Sequence, residues 1–254
     1  MKIVRFAAPD CPERYGVLEG DIIKALAGTP FKTMDYSGET LPLASVKLLA
    51  PCAPSKIVCL GVNYHGHARE MGHNIPNVPL IFLKPSTAVI GTGADIVYPP
   101  SSSRVDYEAE LAVVIRKSGW RISQKAARDH VLGYTCFNDV TARDLQRIDG
   151  QWTRAKSFDT FAAVGPWVET DVDPSRLEVE TFLNGERKQH GSTSDLIYHI
   201  DFLIHFISHV MTLLPGDVIA TGTPSGIGPM KIGDTVEVRI EGIGTLRNKV
   251  VRQD

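Results

Sequence analysis

Residues 215–251 read PGDVIATGTPSGIGPMKIGDTVEVRIEGIGTLRNKVV, and this stretch decides the fold class. Apolar and β-branched runs at 218–221, 235–240 and 245–251 are each entered through a glycine turn, at 215–217, 232–234 and 242–244. Strands that follow one another without helices between them make an antiparallel or mixed β architecture, not a doubly wound sheet. Between the first two lies TGTPSGIG, where Gly222, Gly226 and Gly228 let the backbone approach a ligand closely. No G-K-[ST] follows and strands come next, so the likeness to a phosphate loop is superficial.

Upstream, residues 195–214 form the longest helix expected. His199, Asp201, His205 and His209 interrupt its apolar run, which argues against a membrane span. His205 and His209 are four apart, but Phe206, Ile207 and Ser208 leave no glutamate for H-E-x-x-H, so ordinary helix histidines are preferred to a zinc site. Asn184-Gly185 between runs at 177–183 and 186–189 is the strongest hairpin signal. A helix is expected over 122–132, with Ser123 as N-cap and Gly133 as stop, then a strand over 134–137.

The chemistry gathers around VDYEAELAVV, residues 105–114. Asp106, Glu108 and Glu110 recur at intervals of two, so on an extended strand their carboxylates leave one face. Stacked like charges repel, and carboxylates face a core only where something cationic holds them. A hard divalent cation with oxygen ligands would do so. A solvated acidic face is the plain alternative. Asp139 either caps a helix beginning at Val140 or adds another carboxylate ligand. In NYHGHAREMG, a short helix over 64–71 would put His67 and Glu70 on one face, as a general-base pair or as a solvated surface pair. Lys156 is an anion-binding lysine in a pocket or an exposed loop charge.

The chain has 254 residues, 43% hydrophobic and 22% charged, and a net charge of −2. Such a balance gives no electrostatic case for nucleic acid or an acidic membrane as partner. Four cysteines form no C-x-x-C pair, which fits free thiols in a reducing cytosol, and the N-terminus shows no signal peptide. A cytoplasmic enzyme is expected. Residues 1–27 read as a small β-meander and 41–56, with three prolines, as a linker. The division is a small N-terminal β-rich domain over 1–50 and a main domain over 51–254.

Taken together, GVNYHGHAREM, FLKPST, DYEAELAVVI, GYTCFNDVTARD, RAKSFDTF and LPGDVIATGTPSGIG resemble, in order and spacing, the fumarylacetoacetate hydrolase family across roughly 55–252. The resemblance implies an α+β fold with a mixed β-roll catalytic domain, and a homodimer. It implies Mg²⁺, or Mn²⁺ or Ca²⁺, on Glu108, Glu110 and Asp139, leaving Asp106 as a flanking residue that pairs with a nearby cation. His67 oriented by Glu70 becomes the base, on a helix that closes as a lid. Lys156, with the backbone around Gly222 and Thr223, is placed to stabilise oxyanion charge on a 2-oxo acid substrate. The leading reaction expected is hydrolysis of a C–C bond in an acylpyruvate-type 2,4-dioxo acid through an enolate stabilised by the cation. Isomerisation of a 2-hydroxydienoate comes second and oxaloacetate decarboxylation third, while a non-catalytic metal-binding protein is the remaining alternative. Val62 stands where many relatives have arginine, Gly66 where an acidic residue often precedes the histidine, and the connection 148–152 is short.

Overall fold

The computed structural model describes residues 1–8, 11–70, 72 and 74–253. The fold is a mixed α+β one dominated by strands. Its largest sheet has twelve strands, and its centre is the antiparallel pair Ala109–Ile115 and Val131–Asp139. Beyond Ala109–Ile115 come Val218–Ala220, Ile57–Gly61 and the edge strand Leu80–Lys84. On the other side, Ala162–Glu169 joins Val131–Asp139 to the N-terminal strands. A five-stranded sheet holds Glu186–Ser192, Glu178–Leu183, Thr235–Ile240, Gly244–Arg252 and Asp95–Tyr98. A small third sheet pairs Val105–Tyr107 with Thr141–Ala142 and Gly228–Met230.

The turn at Asn184-Gly185 has positive φ at both residues, 51° and 83°, as a tight hairpin with the natural strand twist requires. Residues 1–27 make the expected meander, extended by Tyr36–Pro42. Lys2 and Ile3 pair with Glu169 and Val168, and Ile3, Tyr15, Val17 and Leu26 share one core with Ile57, Val114, Phe137 and Val164. The expected linker is likewise structured, with Lys47–Leu48 pairing against Phe6 and Ala7.

Several local expectations are overturned by tertiary packing. The helix expected over 122–132 is a 3-10 turn at Gln124–His130, and Val131 already pairs with Ile115. Gly133 lies within the strand, where a Cβ would meet the Glu169 carbonyl oxygen at 2.4 Å, so this glycine serves close strand packing. The expected 195–214 helix is confined to Ile200–Val210, because Asn63 captures the preceding backbone at Ile197 and Tyr198. The helix proper buries Leu203, Ile204 and Ile207, and its histidines lie elsewhere: His205 and His209 bond to backbone carbonyls of Ile122 and His205. Among the described residues, no helix is long and apolar enough to cross a membrane.

Candidate active site

Glu110 lies on Ala109–Ile115 and Glu108 immediately before it, at the passage from the small sheet to the large one. Antiparallel pairing then brings Asp139 to them, because Ala109 lies opposite Asn138 and the Asp139 N–H donates to the Glu108 carbonyl at 2.9 Å. The start of one strand and the end of its neighbour therefore meet at one sheet margin. One carboxylate oxygen from each of Glu108, Glu110 and Asp139 lies within 4.8 Å of the others, and all three residues are buried. Asp139 caps no helix: Thr141–Ala142 follows as a strand, and the next helix, Arg143–Asp149, begins after Ala142.

Asp106 leaves this group. The chain passes from the small sheet to the large one between Tyr107 and Ala109, so the three acidic residues do not share one uninterrupted strand. Asp106 is fully buried between Arg104, at 2.8 Å, and Arg143, at 2.9 Å, which is the cation pairing expected of it.

Cations surround the remaining carboxylates. Lys156 Nζ donates to Glu108 Oε2 at 2.9 Å and to Asp139 Oδ2 at 2.6 Å, while Lys84 takes Asp139 Oδ1 and the Val140 carbonyl. Arg143 donates to Glu108 as well as to Asp106. Burial alone would raise the pKa of Glu108, but Lys156, Arg143 and His67 outweigh it and hold the carboxyl well below its usual range. Burial also opposes the charge on Lys156, and the Asp139 and Glu108 carboxylates overcome it, so its pKa lies above the lysine value. Lys84 shows the reverse balance, with burial lowering its pKa against the pull of Asp139.

Glu110 differs from its neighbours. Burial, then Asp139 and Glu108, push its pKa well above the carboxylate range, against Lys156 and the Gly222 N–H, which donates to Oε2 at 2.7 Å. A buried carboxyl repelled by two others has unmet demand for a cation. The donor set, all oxygen and all buried, fits a hard divalent ion. Gly222 acts here through that bond, since its N–H is already given to Glu110. Its φ of +98° and a Cβ position only 2.9 Å from Asn63 Cβ require glycine.

The helix His65–Glu70 brings His67 and Glu70 to this cluster. His67 Nδ1 lies 3.1 Å from Glu70 Oε2, while Glu70 Oε1 accepts the Gly226 N–H at 3.0 Å, so one carboxylate ties the imidazole to the glycine loop. Asn63 anchors the helix entry by bonding Tyr198 and the Thr221 carbonyl, and Asp195 Oδ2 accepts the Gly66 N–H at 3.1 Å. Met71, at the end of the expected helix, lies outside the described residues. Val62, just before this helix, has φ +56°, a strained backbone for a β-branched residue.

A cavity of about 60 Å³ lies where these parts meet. His67, Glu108, Glu110, Lys156 and Thr223 line it, with Val62, Phe82, Arg143, Gln146 and Trp152 among the rest. The structure thus brings Glu108, Glu110, Asp139, His67, Glu70, Lys156, Gly222 and Thr223 into one neighbourhood. Sequence reasoning assigned no role to Lys84, Arg143, Gln146 or Trp152, although Lys84 and Arg143 fall inside the FLKPST and NDVTARD motifs. The available signal was a lysine closing an apolar strand and an arginine just after an acidic strand end. Trp152, edge-on to Phe82 at 5.2 Å, carries no such signal because its contact depends on the path of the short connection.

A family model described as fumarylacetoacetate (FAA) hydrolase C-terminal matches residues 56–251. The chain belongs to this family. A second model, described as Rv2993c-like N-terminal, matches residues 1–51. The crystal structure of a 5-carboxymethyl-2-hydroxymuconate delta-isomerase from Mycobacterium smegmatis superposes with a TM-score of 0.94 at 47% identity over 100% of both chains. The oxaloacetate tautomerase YisK of Bacillus subtilis is 49% identical over 92% of this chain and 84% of its own. A maleylpyruvate hydrolase from Sphingobium sp. SYK-6, solved with manganese(II) and pyruvate, is 32% identical with a TM-score of 0.83 over 100% of both chains. The chain is thus an enzyme-family member whose relatives include isomerases, tautomerases and hydrolases.

Proposed function

We propose that the chain catalyses proton transfer at the carbon beside the carbonyl of a small 2-oxo dicarboxylic acid, a keto–enol tautomerisation of the oxaloacetate type. The observation that carries this reading is the His67–Glu70 pair beside the carboxylate cluster, with His67 as the one imidazole lining the cavity among the described residues. Glu108, Glu110 and Asp139 would hold a divalent cation, Mg²⁺ or Mn²⁺, which when bound supplies Lewis-acid polarisation of substrate oxygens. Glu70 accepts from Nδ1 and so leaves His67 Nε2 as the proton acceptor and donor. Lys156 and Arg143 place positive charge where substrate oxygens gain negative charge, and Thr223 offers a hydroxyl beside them.

Charge balance favours an anionic substrate. With Glu110 ionised, the carboxylates Asp106, Glu108, Glu110, Asp139 and Glu70 face Lys84, Lys156, Arg143 and Arg104, so a bound divalent cation would leave net positive charge for a substrate carboxylate to match. The small cavity and the likeness to oxaloacetate tautomerase at 49% identity support the same choice.

Hydrolysis of a C–C bond in an acylpyruvate is the second reading. The same histidine can take a proton from water, and the related hydrolase was solved with pyruvate bound. Mn²⁺-loaded protein should be given enol-oxaloacetate, acetylpyruvate and a 2-hydroxymuconate-type diacid, with ultraviolet loss of the enol and NMR of products followed. Accelerated enol loss that chelation abolishes, and that His67→Ala lowers by about 100-fold, is expected. Cleavage of acetylpyruvate without enol exchange would move the assignment to the hydrolase.

We also infer a homodimer. Its support is the open sheet edge at Leu80–Lys84, where Leu80 and Leu83 are 46% and 45% exposed.

A further inference from the structure

Gln189 lies on Glu186–Ser192, a strand that supplies none of the residues given a role above, yet it is 1% exposed and its amide makes four hydrogen bonds toward the site. Oε1 accepts from the Ala109 N–H at 3.0 Å and from the Thr181 hydroxyl at 2.7 Å. Nε2 donates to Thr223 Oγ1 at 2.9 Å and to the Pro224 carbonyl at 2.8 Å. An N–H can only donate and a carbonyl can only accept, so Ala109 and Pro224 fix which end of the amide is which. Ala109 sits between Glu108 and Glu110, and Thr223 lies within the glycine loop at 221–228. One side chain from the second sheet therefore ties the carboxylate strand to that loop.

The consequence falls on Thr223, which is 3% exposed and lines the cavity. Its oxygen already accepts from Gln189, so its hydroxyl proton is left to point elsewhere. We propose that Gln189 is a positioning residue that makes Thr223 a hydrogen-bond donor toward a carboxylate or carbonyl oxygen of the bound ligand. This rests on the reading of the cavity as a 2-oxo acid site. In a site built from acceptor carboxylates, an unconstrained hydroxyl would turn its proton toward the protein, and the amide prevents this from the Gln189 side.

The test uses the full chain with Mn²⁺ and with pyruvate as probe, both titrated calorimetrically. Gln189→Glu keeps an acceptor for Ala109 and Thr181 but presents an acceptor to Thr223, which draws the hydroxyl proton away from the ligand. Pyruvate affinity is expected to fall about 10-fold while Mn²⁺ affinity stays within about 2-fold. Thr223→Val should lower pyruvate affinity equally, and the two changes together should cost no more than either alone. If Gln189→Glu fails to fold, Gln189→Met removes the donor without adding charge and carries the same expectation. Additive losses in the double variant, or unchanged pyruvate affinity in the Gln189 variant, would overturn the proposal alone. Wild-type protein that binds Mn²⁺ but no pyruvate would instead overturn the 2-oxo acid reading, and this inference with it.

Discussion

Glu110 shows how a candidate metal ligand can oppose the fold that holds it. Its pKa is raised from an ordinary 4.5 by burial and by Asp139 and Glu108, so the folded chain keeps a proton that the unfolded chain releases above about pH 4.5. The metal-free fold accordingly loses stability as pH rises from there toward the folded pKa. Glu110→Gln is neutral at every pH and removes this loss. It should raise the melting temperature of the metal-free protein at pH 7 by roughly 3 °C, with the gain vanishing below about pH 4.5. The same change should weaken Mn²⁺ binding by about 100-fold, measured calorimetrically. Equal melting temperatures at pH 7 and unchanged metal affinity would show that Glu110 is neither strained nor a ligand. Glu108 has the opposite sign, since Lys156 and Arg143 hold its pKa down, so its contribution is present at neutral pH and fades as pH falls.

At the scale of the element, the helix His65–Glu70 has six residues, far too few to be stable by its own hydrogen bonds. It persists because neighbours from distant sequence hold both ends: Asn63 and Asp195 at the start, and Gly226 through Glu70 at the finish. Asp195 is 45% exposed, so cutting its bond to Gly66 should release the helix locally while global stability falls by less than about 1 kcal/mol. Asp195→Ala should speed hydrogen exchange of the amides at 65–70 and lower turnover about 5-fold, because His67 then spends less time at the cavity. Exchange rates identical to wild type would remove Asp195 from the anchoring.

For the whole molecule, the twelve-stranded sheet joins the N-terminal strands to those carrying the carboxylate cluster through Lys2 and Ile3, while its far edge carries Leu80 and Leu83 outward. An open edge with apolar side chains invites pairing. Leu83→Glu should convert the proposed dimer to monomer in light scattering after size exclusion, without a change in circular dichroism. A monomeric wild-type protein would dispose of the dimer at once. Because Lys84 and Phe82 on this same strand reach the carboxylate cluster and its cavity, monomerisation should also lower turnover.

By itself the sequence determined which chemistry is available and where short-range structure lies. The Asn184-Gly185 turn, the His67–Glu70 spacing and the strand-turn rhythm of 215–251 are local patterns, set by backbone periodicity and by the few residues that tolerate particular turns. Only the tertiary structure decided which cations take Asp106, that Asp139 caps no helix and that residues 131–132 join a strand. It alone also placed Lys84, Arg143 and Gln189. Each of those outcomes depends on partners far away in sequence: Arg143 for Asp106, Ile115 for Val131, Asp139 for Lys84 and Thr223 for Gln189. Pairing and burial energies of such contacts exceed local propensity, and no window of neighbouring residues contains them.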